Sequence, residues 1–83
     1  MVGIFPFGWK WRLKRLRKRW DRLREKALGK PEPLRSQLLQ KLDVVENKLR
    51  TLEEQQLNLA MRARLAKEVE LDLEEIKAVI KQK

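Results

Sequence analysis

The chain has no cysteine, no histidine and no tyrosine among its 83 residues. Without cysteine there is no disulfide and no thiolate metal site. Without histidine the usual imidazole acid–base chemistry and zinc ligation are also missing. No apolar run approaches the roughly 20 residues of a transmembrane helix. Glycine and proline occur three times each, so turns are few. Residues 1–28 contain no serine or threonine, which argues against a mitochondrial presequence, and the short apolar start precedes the basic part, unlike a secretory signal. No cofactor or metal is expected, and the chain reads as non-enzymatic.

What is present is concentrated. Ten of the seventeen residues from Lys10 to Lys26 are Lys or Arg, against Asp21 and Glu25, a net +8 of the chain's +9. The remaining 57 residues from Ala27 onward balance to +1. The cations are Lys10, Arg12, Lys14, Arg15, Arg17, Lys18, Arg19, Arg22, Arg24 and Lys26. Such density points to a polyanionic surface, as lipid phosphate or as nucleic-acid backbone.

The apolar residues of the same segment sharpen this. Trp9, Leu13, Leu16, Trp20, Leu23 and Ala27 recur at spacings of four and three, one narrow stripe on a helix. Trp11 breaks the pattern and points away. Ahead lies MVGIFPFG, without a charged side chain but with Ile4, Phe5 and Phe7; Pro6 and Gly8 argue against helix there. An apolar tip joined to a basic amphipathic helix suits an interfacial membrane binder, with Ile4, Phe5, Phe7, Trp9, Leu13, Leu16, Trp20 and Leu23 inserting and the Lys and Arg meeting anionic lipid. Two other readings stand beside it. A small dimeric nucleic-acid-binding protein would use the charge and stack Trp or Arg on bases. A helix that packs its stripe on the rest of the chain would leave a solvated cationic face.

Residues 29–33, GKPEP, form the one clear joint: Gly29 suits the end of the first helix and Pro33 the first turn of a second. From Leu34 to Gln82 there is no Gly or Pro, and strong helix formers dominate. Unbroken, this helix would be about 70 Å long. Leu38, Leu42, Val45, Leu49 and Leu52 follow coiled-coil spacing and, with Leu59, make the expected oligomer interface. The later apolar residues Leu65, Val69, Leu73, Ile76 and Ile80 lie on a face rotated by well over 90°. Either the helix uses two partners or it breaks near Glu53–Leu59 into a hairpin, which with the basic helix makes a three-helix bundle. The absence of Gly and Pro favours the long helix and two interfaces. Gln56 and Asn58 fix register, mark a break, or are simply polar residues tolerated at a solvated position. The acids Glu68, Glu70, Asp72, Glu74 and Glu75 scatter around a helix with no histidine beside them, so they read as a solvated acidic face rather than a metal or catalytic set; such a face could also meet the basic head of the same chain or a neighbour.

The hydrophobic start MVGIF, the basic amphipathic segment, the Pro-containing joint GKPEPL and the long helix LLQKLDVVENKLRTLEEQQL resemble the N-terminal part of the ESCRT-III superfamily, which includes CdvB-like and PspA-like membrane-associating proteins. The resemblance covers residues 1 to about 65. It implies assembly into polymers that remodel membrane, with Ile4, Phe5, Phe7 and the basic residues of 10–26 facing lipid. Members carry a long two-helix hairpin with further helices after it, for which 83 residues are too few. The expectation is therefore an all-α chain with residues 1–28 as tip and basic helix, 29–33 as linker and 34–83 as oligomerisation segment. Its expected partners are an anionic membrane surface, further copies of itself, nucleic acid or an acidic protein, and its expected place is the cytoplasm, peripheral on membrane.

Overall fold

The structure, a computed structural model, describes residues 4–82, with side chains from Gly8 onward. It consists of three α-helices, α1 (Ile4–Leu28), α2 (Leu34–Glu54) and α3 (Leu59–Lys81). Polar contacts set their directions. Trp20 and Arg17 of α1 meet Leu42, Glu46 and Glu53 of α2, so α1 and α2 run antiparallel. Arg12 and Arg19 meet Glu70 and Glu74, so α1 and α3 run parallel. The bundle is therefore up–down–up.

This corrects the long helix. The chain measures 47 × 20 × 16 Å, shorter than the span of an unbroken second helix. The break falls at residues 55–58 without Gly or Pro. Gln55 turns extended at the end of α2, and Asn58, also extended, accepts a hydrogen bond from the Met61 N–H at 2.8 Å. Asn58 is thus the N-cap of α3, which satisfies one of the donors that a helix start leaves unpaired. The deeper reason is the rotation between the two apolar stripes. One straight helix cannot turn both toward α1, whereas a hairpin can.

The core is correspondingly shared. Leu16, Trp20, Leu23 and Ala27 of α1 are buried with Leu38, Leu42, Val45, Leu49 and Leu52 of α2 and Ala66, Val69, Leu73, Ile76 and Ile80 of α3. The residues expected to join copies, Leu38 to Leu52, instead close the chain on itself. Leu59, placed with them by spacing, is 78% exposed at the start of α3. Each fully buried Leu is worth about 1.5–3 kcal/mol, and an intramolecular partner supplies that burial without a second copy.

Helix α1 also begins earlier than Pro6 and Gly8 suggest, at Ile4. Pro6 falls in the first turn, where backbone N–H groups have no intrahelical acceptor, so its missing donor costs nothing there. A single Gly lowers helix stability by only about 1 kcal/mol. At the other joint, Pro33 precedes the first residue of α2 and offers no side-chain cap. Glu32 takes over the task. Its carboxylate accepts from the Ser36 N–H at 3.0 Å and from the Ser36 hydroxyl at 2.8 and 2.9 Å. Those bonds, the hydroxyl one first, hold the Glu32 carboxyl below its ordinary value of 4.5.

Two outcomes follow from this architecture. Leu49→Ala should lower unfolding free energy in urea by about 2–5 kcal/mol, against about 4–12 kcal/mol expected for a domain of this size; the chain should loosen rather than merely dissociate. For Glu32 the folded-state value is depressed, so its stabilisation is present above 4.5 and is lost as pH falls through the lowered folded value. Glu32→Ala should therefore melt below the parent at neutral pH, and the two melting curves should converge in acid.

Candidate anion-binding face of the first helix

Bundle formation divides α1 lengthwise. Its inner stripe is the core. Leu16, Trp20 and Leu23 are buried, while Trp9 and Leu13 are half-buried against them. In the closed bundle these five are turned toward α2 and α3, which corrects their placement as a free insertion face. The cause is the same burial drive: a stripe that would enter lipid packs equally well on a complementary hairpin. The side chains of Ile4, Phe5 and Phe7, expected to insert, lie outside the described residues.

Trp20 locks the stripe. Its indole N–H donates to the Leu42 carbonyl at 2.7 Å, a buried bond between α1 and α2. The Arg17 and Arg24 guanidinium groups stand 5.5 and 6.0 Å from its ring centre. Trp9 is covered from α3 by Arg62 at 4.8 Å. Such cation–aromatic contacts are worth about 0.5–1 kcal/mol at accessible sites.

The flanks of α1 carry ion pairs. Arg17 donates to Glu53 at 2.9 Å and lies 3.9 Å from Glu46; the Glu53 hydrogen bond outweighs partial burial, which acts to lower its pKa, and keeps that pKa above the ordinary arginine value. Arg12 meets Glu70 at 2.9 Å and Arg19 meets Glu74 at 2.6 Å. Glu70 and Glu74 of α3 thus serve the basic head of their own chain. Glu68 and Asp72 go to Lys48 of α2, at 3.4 and 2.8 Å, and the Asp72 bond raises the Lys48 pKa.

The outer face is different. Lys10, Lys14, Lys18, Arg22 and Lys26 recur every fourth residue and are all exposed. At 1.5 Å per residue this ridge runs about 24 Å along α1. Among the described residues none of these five belongs to an ion pair. Beside the ridge, Trp11 is 64% exposed, with the Arg15 guanidinium 5.8 Å from its ring centre. Between Lys10 and Trp20 there is no acid at all. The ten cations therefore fall into an inner set that holds the bundle (Arg12, Arg17, Arg19), Arg24 against the buried Trp20, Arg15 against the exposed Trp11, and the outward ridge. Density alone does not separate these sets. Angular distance from the apolar stripe, at about 100° per residue, and the departure of Trp11 from that stripe are the signals that do.

No helix among the described residues is long and apolar enough to cross a membrane. No family model, curated protein or solved structure matches the chain.

Removing the indole, and with it the N–H donor, tests the lock. Trp20→Phe should cost about 1 kcal/mol for the lost buried hydrogen bond, before any cavity effect. Trp11→Phe should stay within about 0.5 kcal/mol, because nothing is buried there. Urea unfolding followed by circular dichroism reads both.

Proposed function

We propose that this chain is a small non-enzymatic protein that lies on anionic membrane surfaces by the outer face of α1. One observation carries the reading: the apolar stripe is used inside the bundle, while the ridge Lys10–Lys14–Lys18–Arg22–Lys26 stays exposed and outside ion pairs among the described residues. A row of this spacing winds about 40° round the helix per step, so its middle members Lys14, Lys18 and Arg22 share the face suited to a flat anionic surface, and each Lys or Arg held near such a surface contributes about 1 kcal/mol. The exposed indole of Trp11 is of the type that settles at headgroup level.

The apolar start favours membrane over nucleic acid. Helix α1 continues back to Ile4, so Phe7 and Ile4 precede Trp11 by four and seven residues on one helix. A polyanion held by charge alone has little use for them. Anionic lipid is richest in the cytoplasmic leaflet, which is the surface meant here. Assembly of copies is the second element of the proposal, in keeping with the ESCRT-III-like layout. It would use apolar side chains left outside the core, Val44, Met61 and Leu71, each more than half exposed.

Nucleic acid is the competing reading, favoured by the accessible Trp11–Arg15 pair, which offers a stacking surface. Sedimentation with vesicles containing phosphatidylglycerol, with and without double-stranded DNA, decides between them. The parent should bind vesicles. Lys14→Gln with Lys18→Gln and Arg22→Gln should weaken binding by about a hundredfold, three losses of about 1 kcal/mol each. Phe5→Asp with Phe7→Asp should also weaken it, and moderate salt should not abolish it. Binding that collapses steeply with salt, ignores the phenylalanine changes and is transferred to DNA would establish the nucleic-acid reading instead.

A further inference from the structure

Between α1 and α3, beside the exposed Trp11, the surface dips into a cleft of about 370 Å³ lined by Gly8, Trp11, Arg12, Arg15, Arg19 and Glu70. We propose that this cleft is a binding site for phosphate-monoester groups. On a membrane it would select lipids whose headgroup ends in one. The inference rests on the membrane reading above and narrows it to a lipid class.

Three arginines spaced by three and four residues line one edge of α1 along the cleft. Two of them already hold oxyanions. Arg12 points both Nε and Nη2 at one Glu70 oxygen, at 3.3 and 2.9 Å, and Arg19 holds Glu74 at 2.6 Å. Arg15, between them, meets no carboxylate among the described residues and stands over Trp11. The cleft thus has one uncommitted guanidinium flanked by two whose N–H groups are turned to donate to anionic oxygen. At Gly8, on its rim, an added Cβ would meet no atom of the described residues within 4 Å. Trp11 supplies an aromatic wall for the group that carries the phosphate.

Charge and oxygen count decide which anion fits. Glu70 brings one negative charge and two oxygens to Arg12. A phosphate monoester carries about −1.5 to −2 at neutral pH and presents three strong acceptors. It can displace Glu70 at Arg12 and engage Arg15 at once, with forked, charge-assisted bonds of the kind arginine makes best. A phosphodiester has a single charge and two free oxygens, so it offers Arg12 no more than Glu70 does. Discrimination therefore comes from the competing carboxylate as much as from the arginines.

The test uses the full chain on two vesicle types at matched surface charge. One contains phosphatidic acid, a monoester, and the other phosphatidylglycerol, a diester. The parent should prefer phosphatidic acid by about tenfold, equivalent to about 1.4 kcal/mol. Arg15→Gln should erase that ratio. Lys18→Gln, which removes the same charge from the ridge outside the cleft, should lower both affinities and keep the ratio. Glu70→Gln should raise both affinities and narrow the ratio, because the competing carboxylate is gone. Equal affinity of the parent for both vesicles, or an equal effect of Arg15→Gln and Lys18→Gln on the ratio, overturns the site and leaves the membrane reading in place. Absence of binding to either vesicle overturns the membrane reading. A second arm then reads the site alone, by titrating glycerol 3-phosphate while following the Trp11 indole resonance. A shift abolished by Arg15→Gln establishes a soluble monoester as ligand, and no shift overturns the site as well.

Discussion

The closure of the α1 stripe on the α2–α3 hairpin is the interaction on which the rest of the molecule depends. Leu16, Trp20, Leu23 and Ala27 enter a core that α2 and α3 line with aliphatic side chains. This seals α1 in one rotational setting, fixed further by the bond from the Trp20 indole to the Leu42 carbonyl. Once that setting is fixed, helical geometry determines every other position on α1. Residues one side of the stripe reach acids on α2, those on the other side reach acids on α3, and those opposite face water.

The cations sort by residue type along that division. The inner flanks are arginine throughout: Arg12, Arg17, Arg19 and Arg24. Each lies against a carboxylate or an aromatic ring, where a planar, weakly hydrated guanidinium is better suited than an ammonium. The outward ridge is mostly lysine, a strongly hydrated point charge on a flexible stem, suited to a diffuse anionic surface. The ion pairs at the flanks are exposed or half-exposed, so each adds at most about 1 kcal/mol. Their larger consequence is to neutralise Arg12, Arg17 and Arg19 within the chain, leaving most of the net positive charge on the outward side.

The three tryptophans occupy three depths. Trp20 is buried and hydrogen-bonded, Trp9 is half-buried beneath Arg62, and Trp11 stands in solvent beside Arg15. In sequence Trp9 and Trp11 are two residues apart, which on a helix places them on nearly opposite faces. That alternation makes one aromatic part of the core and leaves the next available to a ligand. The cleft beside Trp11 exists because α3 supplies its far wall.

Several of these features are legible in the sequence. The all-α class, the joint at residues 29–33, the stripe on α1 and its exception at Trp11, and the two offset stripes beyond Leu34 all follow from periodicity and helix propensity, which act over a few residues. The partner of each stripe does not. Leu38 to Leu52 have the same spacing whether they meet another copy or α1, because periodicity records that a face is apolar and not what covers it. The break at residues 55–58 is equally undecided locally: Asn58 caps a helix there without Gly or Pro, and only the gain from turning both stripes onto α1 selects the hairpin. Tertiary packing likewise assigns ten similar cations to ion pairs, ring contacts and open ridge, since only the fold brings Glu53, Glu70 and Glu74 to the flanks of α1. The sequence by itself determined that the chain is helical and basic at one end. The choice of which apolar faces meet, and so of which charges remain to meet a partner, belongs to the tertiary structure, because it depends on contacts between residues far apart in the chain.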